Sequence, residues 1–80
     1  MVEKFNNYLI IYYPKNKFTN IYKRLITKIS NEKYMVTTYY KDKKINKYFK
    51  SYNVYNREQI EKLIDSYLKE YNLEKSIKYN

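Results

Sequence analysis

Phe18–Ile29 (FTNIYKRLITKI) is the stretch on which the fold turns. With a period of two, Lys23 and Thr27 fall on the same face as Leu25, a poor pattern for a half-buried strand. With a period of 3.6, Ile21, Tyr22, Leu25, Ile26 and Ile29 form one stripe, opposite Lys23, Arg24, Thr27 and Lys28. Thr19 or Asn20 can cap the start of a helix, and Asn31 can take the left-handed turn that ends one. The pattern therefore predicts a helix. The alternative makes Ile21–Ile29 a strand.

The flanking segments are easier to assign. Asn6–Tyr13 (NNYLIIYY) is short, β-branched, continuously apolar over its centre and stopped by Pro14, which predicts a central strand with both faces at least partly covered. Lys15–Lys17 is a basic loop. Tyr34–Lys41 (YMVTTYYK) and Ile45–Val54 (INKYFKSYNV) read as strands. Lys41–Lys44 joins them as a hairpin, with Asp42 or Lys43 at positive φ or with a four-residue type I turn. Asn56–Tyr71 is an amphipathic helix. Asn56 and Gln59 make a capping-box pair, and Ile60, Leu63, Ile64, Tyr67, Leu68 and Tyr71 form its apolar stripe. Glu58–Lys62 and Asp65–Lys69 are spaced for i,i+4 ion pairs, and Asn72 can close the helix. Leu73–Tyr79 is either a short edge strand or a frayed end. The expected fold is α+β, a single two-layer domain over residues 1–80 with the order β-α-β-β-α(-β). That is the split β-α-β order of ferredoxin-like folds, with an antiparallel sheet and both helices on one face. With Ile21–Ile29 as a strand, the fold becomes a ββββα meander with one helix.

Charge is divided unevenly along the chain. Residues 1–55 hold 12 Lys/Arg and three acids, Glu3, Glu32 and Asp42, together with ten of the 13 tyrosines; residues 56–80 hold five bases and five acids. Lys, Asn, Ile and Tyr supply 47 of the 80 residues, while Gly and Ala are absent. An AT-rich genome accounts for that amount of lysine and tyrosine. It does not account for the missing acids, because glutamate codons are AT-rich too. A basic, tyrosine-rich part beside a neutral part points to one surface for a polyanion and one element that packs.

Alternation locates that surface. If Leu9, Ile11, Val36, Tyr40 and Phe49 face the helices, then Tyr8, Tyr12, Tyr39, Lys41, Tyr48, Lys50 and Tyr52 lie on the open face. Such rings can stack on bases while the lysines meet phosphates. Tyrosines that pair across strands and shield the sheet are the plainer alternative. Lys15, Lys17, Lys43, Lys44 and Lys47 add a phosphate clamp in the loop and hairpin, or lysines that blunt a sheet edge. The candidate nucleic-acid-binding residues are thus Lys15, Lys17, Tyr39, Lys41, Lys43, Lys44, Lys47, Tyr48, Lys50 and Tyr52. Fifteen lysines against two arginines favour backbone or shape recognition over sequence-specific readout, because arginine makes the bidentate base contacts.

Two family resemblances accompany this. The expected element order resembles that of RNA-recognition-motif domains. That family's strand motif, Lys/Arg-Gly-aromatic-Gly/Ala-aromatic, is met by Lys47-Tyr48-Phe49-Lys50-Ser51 at its first and third positions alone, so no site is carried across. Tyr34–Tyr71 looks like the strand–strand–helix end of an Arm-type integrase DNA-binding domain, with Val54-Tyr55-Asn56-Arg57-Glu58-Gln59-Ile60 at the capped helix start. That resemblance implies a sheet that enters the major groove. A helical Phe18–Ile29 departs from the family's three-strand start.

Other chemistries find little support. The chain lacks histidine, cysteine and glycine, which argues against common acid/base, metal and phosphate-loop sites. Glu61 and Asp65 read as a solvated helix face. No enzyme activity, metal or cofactor is expected. No apolar run is long enough to span a membrane and no signal-peptide pattern is present, so the expectation is a soluble, cytoplasmic protein with no membrane partner. Three partners are consistent with the composition. One is nucleic acid, RNA or DNA. A second is a host nucleoprotein machine, bound by a viral or mobile-element inhibitor of the anti-CRISPR or host-takeover type. The third is a second copy, in a homodimer through the tyrosine-rich face.

Overall fold

The computed structural model describes residues 1–15 and 19–76. Five strands form one antiparallel sheet in sequence order: β1 (Val2–Lys4), β2 (Tyr8–Tyr12), β3 (Ile21–Lys28), β4 (Lys33–Asp42) and β5 (Lys47–Asn56). A single helix, α1 (Arg57–Ser76), follows. The fold is α+β, but the two-helix ferredoxin-like order is not formed. It is closer to the ββββα alternative, with β1 added at the edge, and the order expected of an RNA-recognition motif goes with the first helix.

Ile21–Lys28 is a strand because both of its faces find suitable neighbours. Leu25 and Ile26 pair with Thr37 and Val36 of β4, and with Ile10 and Leu9 of β2. Ile26 is buried under the helix. Lys23 and Thr27 share Leu25's side, which turns away from α1 and tolerates polar residues. Arg24 is the odd member, since it shares Ile26's side and is charged. The helical stripe of the sequence was therefore coincidental. Neither proposed helix terminus forms: Thr19 Oγ1 accepts from the Ile21 amide at 3.2 Å, and Asn31 lies in the β3–β4 turn without a positive φ. Phe18 lies outside the described residues.

The other strands follow the sequence more closely. β2 is interior, between β1 and β3, and Ile11 is fully buried. The β4–β5 turn falls two residues later than expected, at 43–46, and Asn46 rather than Asp42 or Lys43 carries the positive φ, 54°. Asn tolerates that region better than most residues. Asp42 instead shapes the turn, its Oδ1 accepting from the Lys44 and Ile45 amides at 2.9 and 3.4 Å.

The helix start is as expected. The Asn56 amide donates to Gln59 Oε1 at 3.0 Å, and the Gln59 amide donates to Asn56 Oδ1 at 2.9 Å, a reciprocal capping box. Ile60 and Tyr71 are buried, and Ile64, Tyr67 and Leu68 pack beside them against Ile11, Tyr13, Ile26 and Val36. Asn72 does not end the helix, which runs on to Ser76. No edge strand forms over 73–76, and the rest of that segment lies outside the described residues. Tyr34–Tyr71 thus keeps its strand–strand–helix form.

Beneath α1, Arg24 forms an ion pair with Glu70. Arg24 Nη1 donates to Glu70 Oε2 at 2.8 Å and to the Tyr13 hydroxyl at 2.9 Å. Its guanidinium lies 4.2 Å from the Tyr67 ring centre. Burial works to lower the Arg24 pKa, but its bonds to Glu70 and Tyr13 outweigh that and raise it. Burial pushes the Tyr13 hydroxyl up to about 12.

Candidate nucleic-acid interface

The register fixes what lies on the face away from the helix. One transverse row is Tyr12–Lys23–Tyr39–Lys50, crossing β2 to β5. The next row toward the β4–β5 turn holds the partners Lys41 and Tyr48, and the row on the other side holds Ile10, Leu25, Thr37 and Tyr52. A bulge between Ile21 and Lys23 brings Tyr22 onto this face. Its ring meets Tyr48 edge-on at 5.7 Å and Tyr39 at 6.1 Å.

Each of three tyrosines carries its own lysine. Lys23 Nζ is 4.3 Å from the Tyr39 ring centre, Lys41 Nζ 5.3 Å from Tyr48 and Lys50 Nζ 5.7 Å from Tyr52. Cation–π attraction favours these placements, at about 0.5–1 kcal/mol for exposed pairs. The side-chain hydrogen bond to Tyr52 raises the Lys50 ammonium above its ordinary pKa. Tyr48 and Tyr52 are exposed, with 66% and 53% of their surface open.

Beside Tyr48 the surface becomes concave. A groove of about 620 Å³ is lined by Pro14, Lys15, Ile21, Tyr22, Lys41 and Lys43, among others. Thus Lys15, Tyr39, Lys41, Lys43, Tyr48, Lys50 and Tyr52 come together on one side of the sheet or at its rim. Lys44 lies in the β4–β5 turn. Lys47 pairs with Asp42 at the end of β5, with the parity of the helix-covered face. Lys17 lies outside the described residues. Tyr8 stands apart, stacked on Phe5 at 4.3 Å.

Tyr22 and Lys23 were absent from the sequence-derived set. Reading Phe18–Ile29 as a helix assigned Tyr22 to its apolar stripe and Lys23 to the opposite side. The signal that recovers Lys23 is the alternation Lys23–Leu25–Thr27, once the face it describes is allowed to be aromatic and basic rather than apolar; Tyr22 reaches that face only through the bulge.

The other side of the molecule has the opposite balance. Helix α1 carries Arg57, Lys62, Lys69 and Lys75 against Glu58, Glu61, Asp65, Glu70 and Glu74. The positive surplus therefore belongs to the sheet and its loops. Among the described residues no helix is long and apolar enough to cross a membrane. Comparison with protein-family models, curated proteins and solved structures finds no match to this chain.

Proposed function

We propose that this chain is a small nucleic-acid-binding protein of low sequence specificity, which uses the open sheet face and the adjoining loops. The observation that carries this reading is the pairing of Tyr39, Tyr48 and Tyr52 with Lys23, Lys41 and Lys50 on one face. Lysines supply phosphate contacts and the rings supply stacking. The balance of acids on α1 leaves the sheet side as the attractive surface for a polyanion.

A salt titration tests the proposal. Neutralising about five phosphates gives a log–log slope of roughly −4 to −5 on duplex DNA and about −3.5 on a single strand. Absence of binding to RNA, single-stranded DNA and duplex at about 50 mM salt, where the electrostatic contribution is strong, rejects it.

A further inference from the structure

Resting on that proposal, we infer that the ligand is single-stranded, and that Tyr48, Tyr39 and Tyr52 form a three-nucleotide platform. In it each tyrosine takes one base, and the lysine now lying over its ring moves to the adjoining phosphate.

The spacing of the rings supports an unpaired strand. Tyr39 and Lys50 are direct cross-strand partners, and Tyr48 and Tyr52 flank Lys50 at two residues on either side. With about 3.3 Å per residue along a strand and about 4.8 Å between strands, the path Tyr48–Tyr39–Tyr52 zigzags in steps of about 8 Å. Bases in a duplex strand follow one another at about 3.4 Å. Consecutive bases that remain stacked cannot each meet one of these rings, whereas an extended strand with its bases separated can. Paired bases also have their flat faces covered by their neighbours, leaving edges to be read.

The chemistry of the face agrees. Planar forked side chains, Arg, Asn and Gln, are best shaped for bidentate contacts with base edges, and the rows from Lys41–Tyr48 through Tyr52 contain none of them, lysine being a point charge. Arg24 and Asn53 have the parity of the helix-covered face. The open face thus offers flat rings and mobile cations, which suit exposed base faces and phosphates. It lacks the planar forks that best read the base edges of a closed duplex.

The chain has no tryptophan, so its intrinsic fluorescence comes from its 13 tyrosines, and the part of any quenching that Tyr48→Leu and Tyr52→Leu abolish belongs to the platform. The test is fluorescence and calorimetric titration of the full chain with oligothymidylate and oligouridylate of two to eight nucleotides, and with a duplex of about 20 base pairs. The expected result is quenching by the single strands, with affinity rising steeply to three or four nucleotides and gradually thereafter. The duplex should bind at least about tenfold more weakly. Tyr48→Leu and Tyr52→Leu should each weaken single-strand binding by about tenfold and leave duplex binding unchanged. Tyr48→Phe, which keeps the ring, should retain binding, and a native far-ultraviolet spectrum for each variant excludes misfolding. Lys23→Gln should reduce the salt slope on single strands by about 0.7. Equal or tighter duplex binding that ignores the tyrosine substitutions overturns the single-strand inference but leaves the nucleic-acid proposal standing. Failure of every probe overturns both. A concentration-dependent dimer that excludes the oligonucleotides assigns the face to a second copy and also overturns the inference.

Discussion

The two faces of one sheet are built from similar residues and differ in what surrounds their charges. Along β4, Tyr34, Val36, Thr38 and Tyr40 have the parity of the helix-covered side, while Met35, Thr37, Tyr39 and Lys41 have that of the open side. Both sides are aromatic and both hold positive charge. On the covered side, Arg24 is fixed between aromatic rings and paired with Glu70. On the open side, Lys23, Lys41 and Lys50 rest on tyrosine rings. Charge compensation, rather than hydrophobic content, separates the packing surface from the candidate binding surface.

Truncating one large residue on each side separates the two faces most strongly. Ile11 is fully buried, and Ile11→Ala should cost about 2–5 kcal/mol in lost burial and residual cavity. For a chain of this length the whole stability is about 4–12 kcal/mol, so much of it would go. Tyr48→Leu should cost less than about 1 kcal/mol, chiefly its edge contact with Tyr22. Urea unfolding followed by circular dichroism measures both. A cost for Tyr48→Leu comparable with that of Ile11→Ala would make the open face part of the core.

A smaller effect separates two adjacent cations. Arg24→Met keeps the side-chain stem but removes the partner of Glu70 and of the Tyr13 hydroxyl. Glu70 retains about a third of its exposure (37%), so water recovers part of the loss, and the expected cost is about 1–3 kcal/mol. Lys23→Met, one residue away on the opposite face, should leave stability within about 0.5 kcal/mol while weakening nucleic-acid binding. The same urea curves and a filter-binding assay give the two readouts. Equal destabilisation by both substitutions would refute the division of labour.

Arg24 also explains how far the fold was legible. Asn56–Gln59 capping and the Ile60–Tyr71 stripe are local signals, and both appear in the structure as read. The strand character of 34–41 and 45–54 came from residue type, and the tyrosine–lysine face followed from alternation. Ile21–Lys28 failed because binary patterning assumes that core positions are apolar and open positions polar. Here Arg24 has core parity, and its partner Glu70 lies 46 residues away. Leu25 has open-face parity beside Ile10 and Thr37. A long-range ion pair is invisible to a local period. The three-residue β1 was missed for a related reason, because its partner, β2, rather than its own composition, makes it a strand.

The finest distinction lies in a single carboxyl at the end of the covered face. Glu74 is buried on α1. Burial pushes its pKa above the ordinary value of 4.5, the neighbouring Glu70 pushes the same way, and Arg24 opposes them. A carboxyl whose folded-state pKa exceeds its unfolded value holds its proton more readily when folded. Its contribution to stability therefore falls as pH rises from the unfolded value through the folded one. Glu74→Gln, which cannot ionise, should be more stable than the parent at pH 7. The difference should vanish below about pH 4, where the parent carboxyl is protonated in both states. Urea midpoints at the two pH values decide it. A less stable Gln variant at neutral pH would mean that attraction to Arg24 outweighs the cost of burying the charge.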